Sequence, residues 1–96
     1  MRGRGFVKQD HQGAVPGTAH DGIVAAGLSE AMSFAAGRAA SAVAIDIRLE
    51  APVPVGTFLE LEARVVGRAD GDVKVDASAA TEGRQVASAR GIYKRS

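Results

Sequence analysis

The residues able to act on a polarised carbon cluster early in this chain: His11, His20 and Asp21, then Ser29 and Glu30, all within HQGAVPGTAHDGIVAAGLSEAMSFAAG. Histidine and the carboxylates offer proton transfer, and serine offers a nucleophile only where a base stands beside it. No histidine adjoins Ser29 in sequence, so that serine reads as a small packing residue. His20 also has a plain structural reading, a hydrogen bond to the preceding loop, and Asp21 is an ordinary residue for the first turn of a helix. Glu30 has two readings of equal standing. It is either a carboxylate facing a water-filled cleft between subunits or one half of an ion pair with an arginine across an interface. At a rise of 1.5 Å per residue, His20 and Glu30 stand about 15 Å apart along a helix, so one substrate carbon cannot meet both within a single chain. A site that uses both must span two subunits.

Composition narrows the chemistry further. There is no cysteine, which removes disulfides, thiolate metal sites and cysteine nucleophiles, and two histidines are too few for a common zinc set. No metal or cofactor is expected. With 96 residues, 46% of them hydrophobic, and a net charge of +1, residues 1–96 read as one small domain. Its core draws mostly on Ala and Val, with one Tyr, three Phe and no Trp, so burial between subunits is expected to supplement it.

Ser29, Glu30 and Arg38 interrupt the only long apolar stretch, so no membrane span is expected. MRGRG is basic but lacks the apolar centre of a signal peptide, and a cytoplasmic location is the expectation. Read as a tail, that Arg/Gly segment is too short to make a nucleic-acid binder of a chain without basic excess or an aromatic platform.

The elements that must position these residues can be read from spacing. Phe6 to Lys8 reads as the end of a strand, followed by a loop from Gln9 to Gly17 that carries Gly13, Pro16 and Gly17. Thr18 reads as an N-cap with Asp21 in the capping-box position, which starts a helix at about Ala19. To Ala36 nearly every residue is small or apolar on all sides, the pattern of a buried helix, and Gly37 reads as its C-cap. Arg38 then suits the negative end of the helix dipole.

Beyond the helix the period becomes two. Val43, Ile45, Ile47 and Leu49 alternate with Ala44, Asp46, Arg48 and Glu50 until Pro52 and Pro54 end the strand. A second strand runs from Phe58 to about Arg68, Asp70-Gly71 turns the chain, a third runs from Val73 to Ala79, and a fourth follows from Gln85 to Lys94. These four are expected to be antiparallel and joined by hairpins. A sheet with one apolar face and a single apolar helix predicts an α+β fold, an antiparallel sheet wrapped around one long central helix.

The stretch HQGAVPGTAHDGIVAAGLSEAMSFAAG, followed by AVAIDIRLEAPVPVGTFLELEARVV and EGRQVASARGIY, resembles the hotdog-fold thioesterase superfamily. The likeness is to small bacterial acyl-CoA thioesterases such as the phenylacetate-pathway enzyme, and it covers about residues 6 to 94. The family pattern has His-Gly-Gly and an Asp nine positions after the His. Here His20 is followed by Asp21 and Gly22, and Ser29 stands at the Asp position with Glu30 next to it. Family members commonly carry further residues before the position of Phe6, so the chain is short at its N-terminal side relative to them.

The resemblance implies hydrolysis of an acyl-CoA thioester in a homodimer, often paired into a tetramer. It implies that amides at the helix start, at His20, Asp21 and Gly22, polarise the carbonyl, and that a carboxylate of the facing subunit activates water; Ser29 and Glu30 occupy that region. Unpaired N–H groups and the positive helix end suit an oxyanion. If Thr18 caps the Asp21 amide, the Gly22 amide must serve instead. Some members place a side-chain donor six residues before the His, where this chain has Ala14; His11 and Gln12 are the candidates to substitute for it. Arg84 and Arg90, with Lys94 and Arg95, are candidates for the phosphates of CoA. The alternatives are a hotdog protein that binds acyl-CoA or a similar ligand without turnover, and a subunit-interaction module.

Overall fold

Polar and special-backbone residues set the boundaries of the elements. The computed structural model describes residues 1–8, 11–14 and 17–95. The chain runs β1 (Arg2–Phe6), α1 (Asp21–Ala36), β2 (Ala40–Leu49), β3 (Phe58–Ala69), β4 (Asp72–Thr81) and β5 (Arg84–Arg95). Gln9 and Pro16 of the loop before the helix lie outside the described residues.

The strands form one antiparallel sheet in the order β1-β3-β4-β5-β2. Asp70-Gly71 and Glu82-Gly83 have positive φ at both positions, as two-residue hairpin turns that match the strand twist require. Among the described residues these are the two hairpins between neighbouring strands, and β2 is not joined to β3 by one, which corrects the expectation of four strands joined by hairpins. β2 pairs with β5 at the far edge, and residues 50–57 cross back to β3.

The crossing has a physical cause. Pro52 and Pro54 cannot donate to a ladder, and the segment is held instead across the end of the sheet. Glu50 and Ala51 donate to Val86 O at 2.8 and 3.1 Å, while Ala19 donates to Val53 O at 2.7 Å and Val55 to Gly17 O at 2.9 Å. The residues leading into the helix are thereby fastened to the sheet.

The first strand lies nearer the chain start than Phe6–Lys8. RGRGF is itself a period-two strand and no tail: Arg2, Arg4 and Phe6 pair with Glu62, Glu60 and Phe58 on β3. The Arg4 guanidinium sits 4.0 Å over the Phe58 ring, against which Phe6 packs edge-on at 5.1 Å. Gly3 and Gly5 alternate with these residues and face the helix.

α1 lies across the inner face of the sheet, packed chiefly on β3 and β4. Leu28 and Met32 are fully buried with Val73, Val75, Val86 and Tyr93. This single helix inside one antiparallel sheet is the hotdog arrangement. No helix among the described residues is long and apolar enough to cross a membrane.

Two burial expectations are corrected. The helix is not enclosed on all sides, since Ala26, Glu30 and Phe34 are exposed, Phe34 by 66%. On β2, Val43, Ile45 and Leu49 are exposed, and of the four alternating apolar residues Ile47 alone joins the core margin, with Ala40 at the start of the strand. One helix is too narrow to cover five strands, and the irregularity between Ala42 and Ala44 turns the start of this edge strand away.

Candidate active site at the start of the helix

The helix begins two residues later than its composition suggests. Its N-cap is His20, in extended conformation (φ −63°, ψ 137°), and the imidazole Nδ1 accepts the Gly22 N–H at 2.9 Å. Thr18 is not the cap. It forms an isolated bridge with Pro54, and its carbonyl accepts from Gly13 at 3.0 Å, which commits it to the loop. Asp21 is accordingly the first helical residue and not the third residue of a capping box.

This reverses the roles of two amides. Gly22 N–H is taken by His20, and Ile23 N–H donates to His20 O at 3.0 Å. The Asp21 N–H, in the first turn, has no partner among the described residues. It is the free donor at the positive end of α1, and the Asp21 carboxylate is carried on the same residue.

The cap bond selects between the two tautomers of a neutral His20 ring. With Nδ1 accepting, the neutral ring carries its proton on Nε2, so the exposed edge is a donor and not a base. His11 repeats the arrangement, because its Nδ1 accepts from Lys8 N at 3.1 Å. The two histidines meet through the backbone, His20 N–H donating to His11 O at 2.7 Å. Gln12 is drawn in as well: it bridges Ala19, and its Oε1 accepts from Gly17 N at 2.9 Å. The fold therefore gathers His11, Gln12, His20, Asp21 and Gly22 at one end of the helix, with the side chains of His11 and Gln12 organising the loop.

Ser29 and Glu30 lie two to three turns further on, about 100° apart around the axis. Gly27 packs beside Leu61 of β3, while Met32 lies against Gly91 of β5, which fixes the two flanks of the helix. Glu30 falls on the β1 flank, where it lines a cavity with His11. Half-buried Ser29 stands one turn from Met32, on the flank toward β5 and β2.

The two arginines separate. Arg84 opens β5 beside the Glu82-Gly83 turn, which shares a small cavity with Gly56 and Phe58 at the end of the sheet where the chain enters the helix. Arg90 points from the outer face, opposite α1, in a row across the sheet of Arg64, Asp76, Arg90 and Asp46 in mutual register. Asp76 approaches it at 4.0 Å. Its charge is already compensated there, with the sheet between it and the helix start. No cluster of three or more metal-ligating side chains occurs among the described residues.

Sequence reasoning missed the cavity that Glu30 lines. Its available signal was the alternation in RGRGF, which puts glycine on one face of a strand and Arg or Phe on the other.

No protein-family model matches the chain, and no curated protein matches it in sequence. Solved structures do match its fold. A thioesterase superfamily protein superposes with a TM-score of 0.88 at 23% identity over 97% of this chain; the chain covers 47% of that protein, about half its length. A mutant of the phenylacetic acid degradation protein PaaI from Thermus thermophilus matches with a TM-score of 0.92 and 26% identity, covering 99% of this chain and 84% of that one. A protein from Streptococcus mutans solved bound to acetyl-CoA matches with a TM-score of 0.85 and 17% identity, over 99% of this chain and 79% of its own.

Proposed function

Because the chain carries the hotdog fold of the thioesterase superfamily, we propose that it is an acyl-CoA thioesterase whose site lies between two copies. The free Asp21 N–H at the positive end of α1 carries the proposal, with the His20 Nε2–H beside it. Two donors at a helix start are suited to a thioester carbonyl oxygen, and they gain strength as that oxygen becomes an oxyanion. Water adds to the carbonyl carbon, the C–S bond breaks, CoA leaves as the thiolate, and a carboxylate takes the proton of the attacking water.

The second copy follows from β2. This strand has one unpaired edge and exposes Val43, Ile45 and Leu49, a combination that favours pairing with another strand. Antiparallel pairing of two β2 edges about a two-fold axis sets the helices side by side and turns each Ser29 flank toward the partner. The Ser29-Glu30 segment of the facing copy then approaches the helix start, and Glu30 is the carboxylate available in it. Arg84, at the same end of the sheet, is the candidate partner for a CoA phosphate.

One observation favours a second reading, acyl-CoA binding without turnover. Ser29 occupies the flank turned toward β2 but carries no carboxylate, while Glu30 points to the other side.

Hydrolysis of a panel of aromatic and aliphatic acyl-CoA thioesters, followed by free-thiol release, separates the two. Turnover above buffer that falls with Glu30→Gln supports the enzyme. Binding of acyl-CoA with no thiol release supports the carrier.

A further inference from the structure

The sheet ends in β2 on one side and in β1 on the other, and the two edges differ in chemistry. On β1, Met1 O accepts from Ala63 N at 2.8 Å and Val7 N donates to Thr57 O at 2.8 Å. The alternation of an antiparallel ladder then gives the amides and carbonyls of Gly3 and Gly5 to β3 as well. Those of Arg2, Arg4 and Phe6 point outward along the edge, and no strand among the described residues pairs with them.

This edge is charged on one face and empty on the other. On the outer face stand Arg2 and Arg4, whose side chains are 84% and 60% exposed and reach Glu62 and Glu60 only at 3.7 and 4.0 Å. On the inner face Gly3 and Gly5 carry no side chain, and a Cβ built on Gly5 meets no atom within 4 Å. Beside them lies a cavity of about 420 Å³ walled by Ile23, Leu59 and Leu61, with Glu30 on its helix side.

A strand added to β1 is selected residue by residue, in period two. Side chains next to Arg2 and Arg4 fall on the outer face, where carboxylates gain from cross-strand pairing and cations are repelled. The side chains between them fall over the glycines, where apolar groups fill the space and Glu30 opposes acidic ones. The β1 of a second copy does not meet these terms. It offers Arg and Phe on one face and glycine on the other, so it brings no carboxylate to the arginines and leaves the cavity empty.

We propose that the free edge of β1 docks an extended segment of a partner protein in which acidic and apolar residues alternate, taken up as a sixth strand of the sheet. The site is independent of the thioester reading, because it lies at the edge opposite β2 and uses no donor of the helix start.

The probe is a fluorescein-labelled hexapeptide alternating Glu and Val, titrated with the full chain and read by fluorescence anisotropy. Binding should saturate and weaken as salt rises. The matching Lys-Val peptide should bind at least about tenfold more weakly. Replacing both arginines, Arg2→Gln with Arg4→Gln, should lower the affinity for the Glu-Val peptide at least about threefold. No binding of that peptide, or unchanged affinity in the folded double variant, overturns the proposal.

A second arm needs no variant of the protein. Successive amides of an added strand point alternately toward β1 and away from it, so N-methylation of one alternate set removes the bonds to β1 and N-methylation of the other does not. One set should abolish binding while the other changes it by less than about threefold. Equal effects from the two sets overturn strand addition, whatever the arginine variant does.

Discussion

The imidazole of His20 accepts the amide hydrogen of Gly22 at 2.9 Å, so the side chain at the helix start closes one donor and leaves the next one, on Asp21, open. The His20 ring thus has a structural duty at Nδ1 and a free donor at Nε2. The two can be separated by substitution.

His20→Ala removes the cap and should cost about 1 kcal/mol of stability, whereas His20→Asn retains a capping acceptor and should cost much less. Both remove the imidazole donor. Denaturation midpoints should therefore distinguish the variants while thioester turnover falls in both. Full turnover in His20→Asn would remove His20 from the chemistry.

Asp21 places a carboxylate on the residue that supplies the free amide. Asp21→Asn keeps the amide and removes the charge, and turnover should rise several-fold because an oxyanion no longer forms beside a negative group. The same change should lower stability by roughly 0.3–1 kcal/mol through the lost interaction with the helix dipole. Opposite signs in rate and stability, measured on one variant, are the expected signature.

Ser29→Asp supplies a carboxylate on the flank turned toward β2. It should raise hydrolysis at least about tenfold, within the range of positioned acid–base catalysis. No gain would mean that the facing copy does not present this flank to the thioester.

Ile45→Lys and Val43→Lys place charges on the exposed edge strand, where they oppose strand pairing. Sedimentation should show the unmodified chain as a dimer or larger and these variants shifted to monomer, with hydrolysis lost in the same step. A fully active monomer would exclude a site shared between copies.

Tyr93 is 1% exposed, and its hydroxyl has no hydrogen-bond partner among the described residues. Replacing it with Phe removes a desolvated donor and keeps the ring, so Tyr93→Phe should be neutral or stabilising, by up to about 1 kcal/mol in urea unfolding.

Much of this fold was legible because its elements announce themselves locally. Asp70-Gly71 lies between two alternating runs, Gly37 ends an apolar helix, and each appears in the structure in that role. Thr18 misled because capping propensity is a local signal and the bridge to Pro54, which commits it elsewhere, is not. The position of β2 was hidden for the same reason: its exposed apolar residues look like a core face until the width of one helix is known. At the site, the loop and helix start were legible together, since HQG and HDG lie close in sequence. The opposing flanks of Ser29 and Glu30, and the space over Gly3 and Gly5, depend on which strand lies beside which face of the helix.

The crossing between β2 and β3 has a bearing on how the protein assembles. β3, β4 and β5 are joined by two-residue turns and can zip from local contacts, whereas β1 and β2 find partners far along the chain. Loop closure for the edges is entropically dearer, so the meander should form first, with the helix and edges docking afterwards. β2 should then be among the last parts to order and the first to open, so the sheet can loosen at this edge without unfolding the rest.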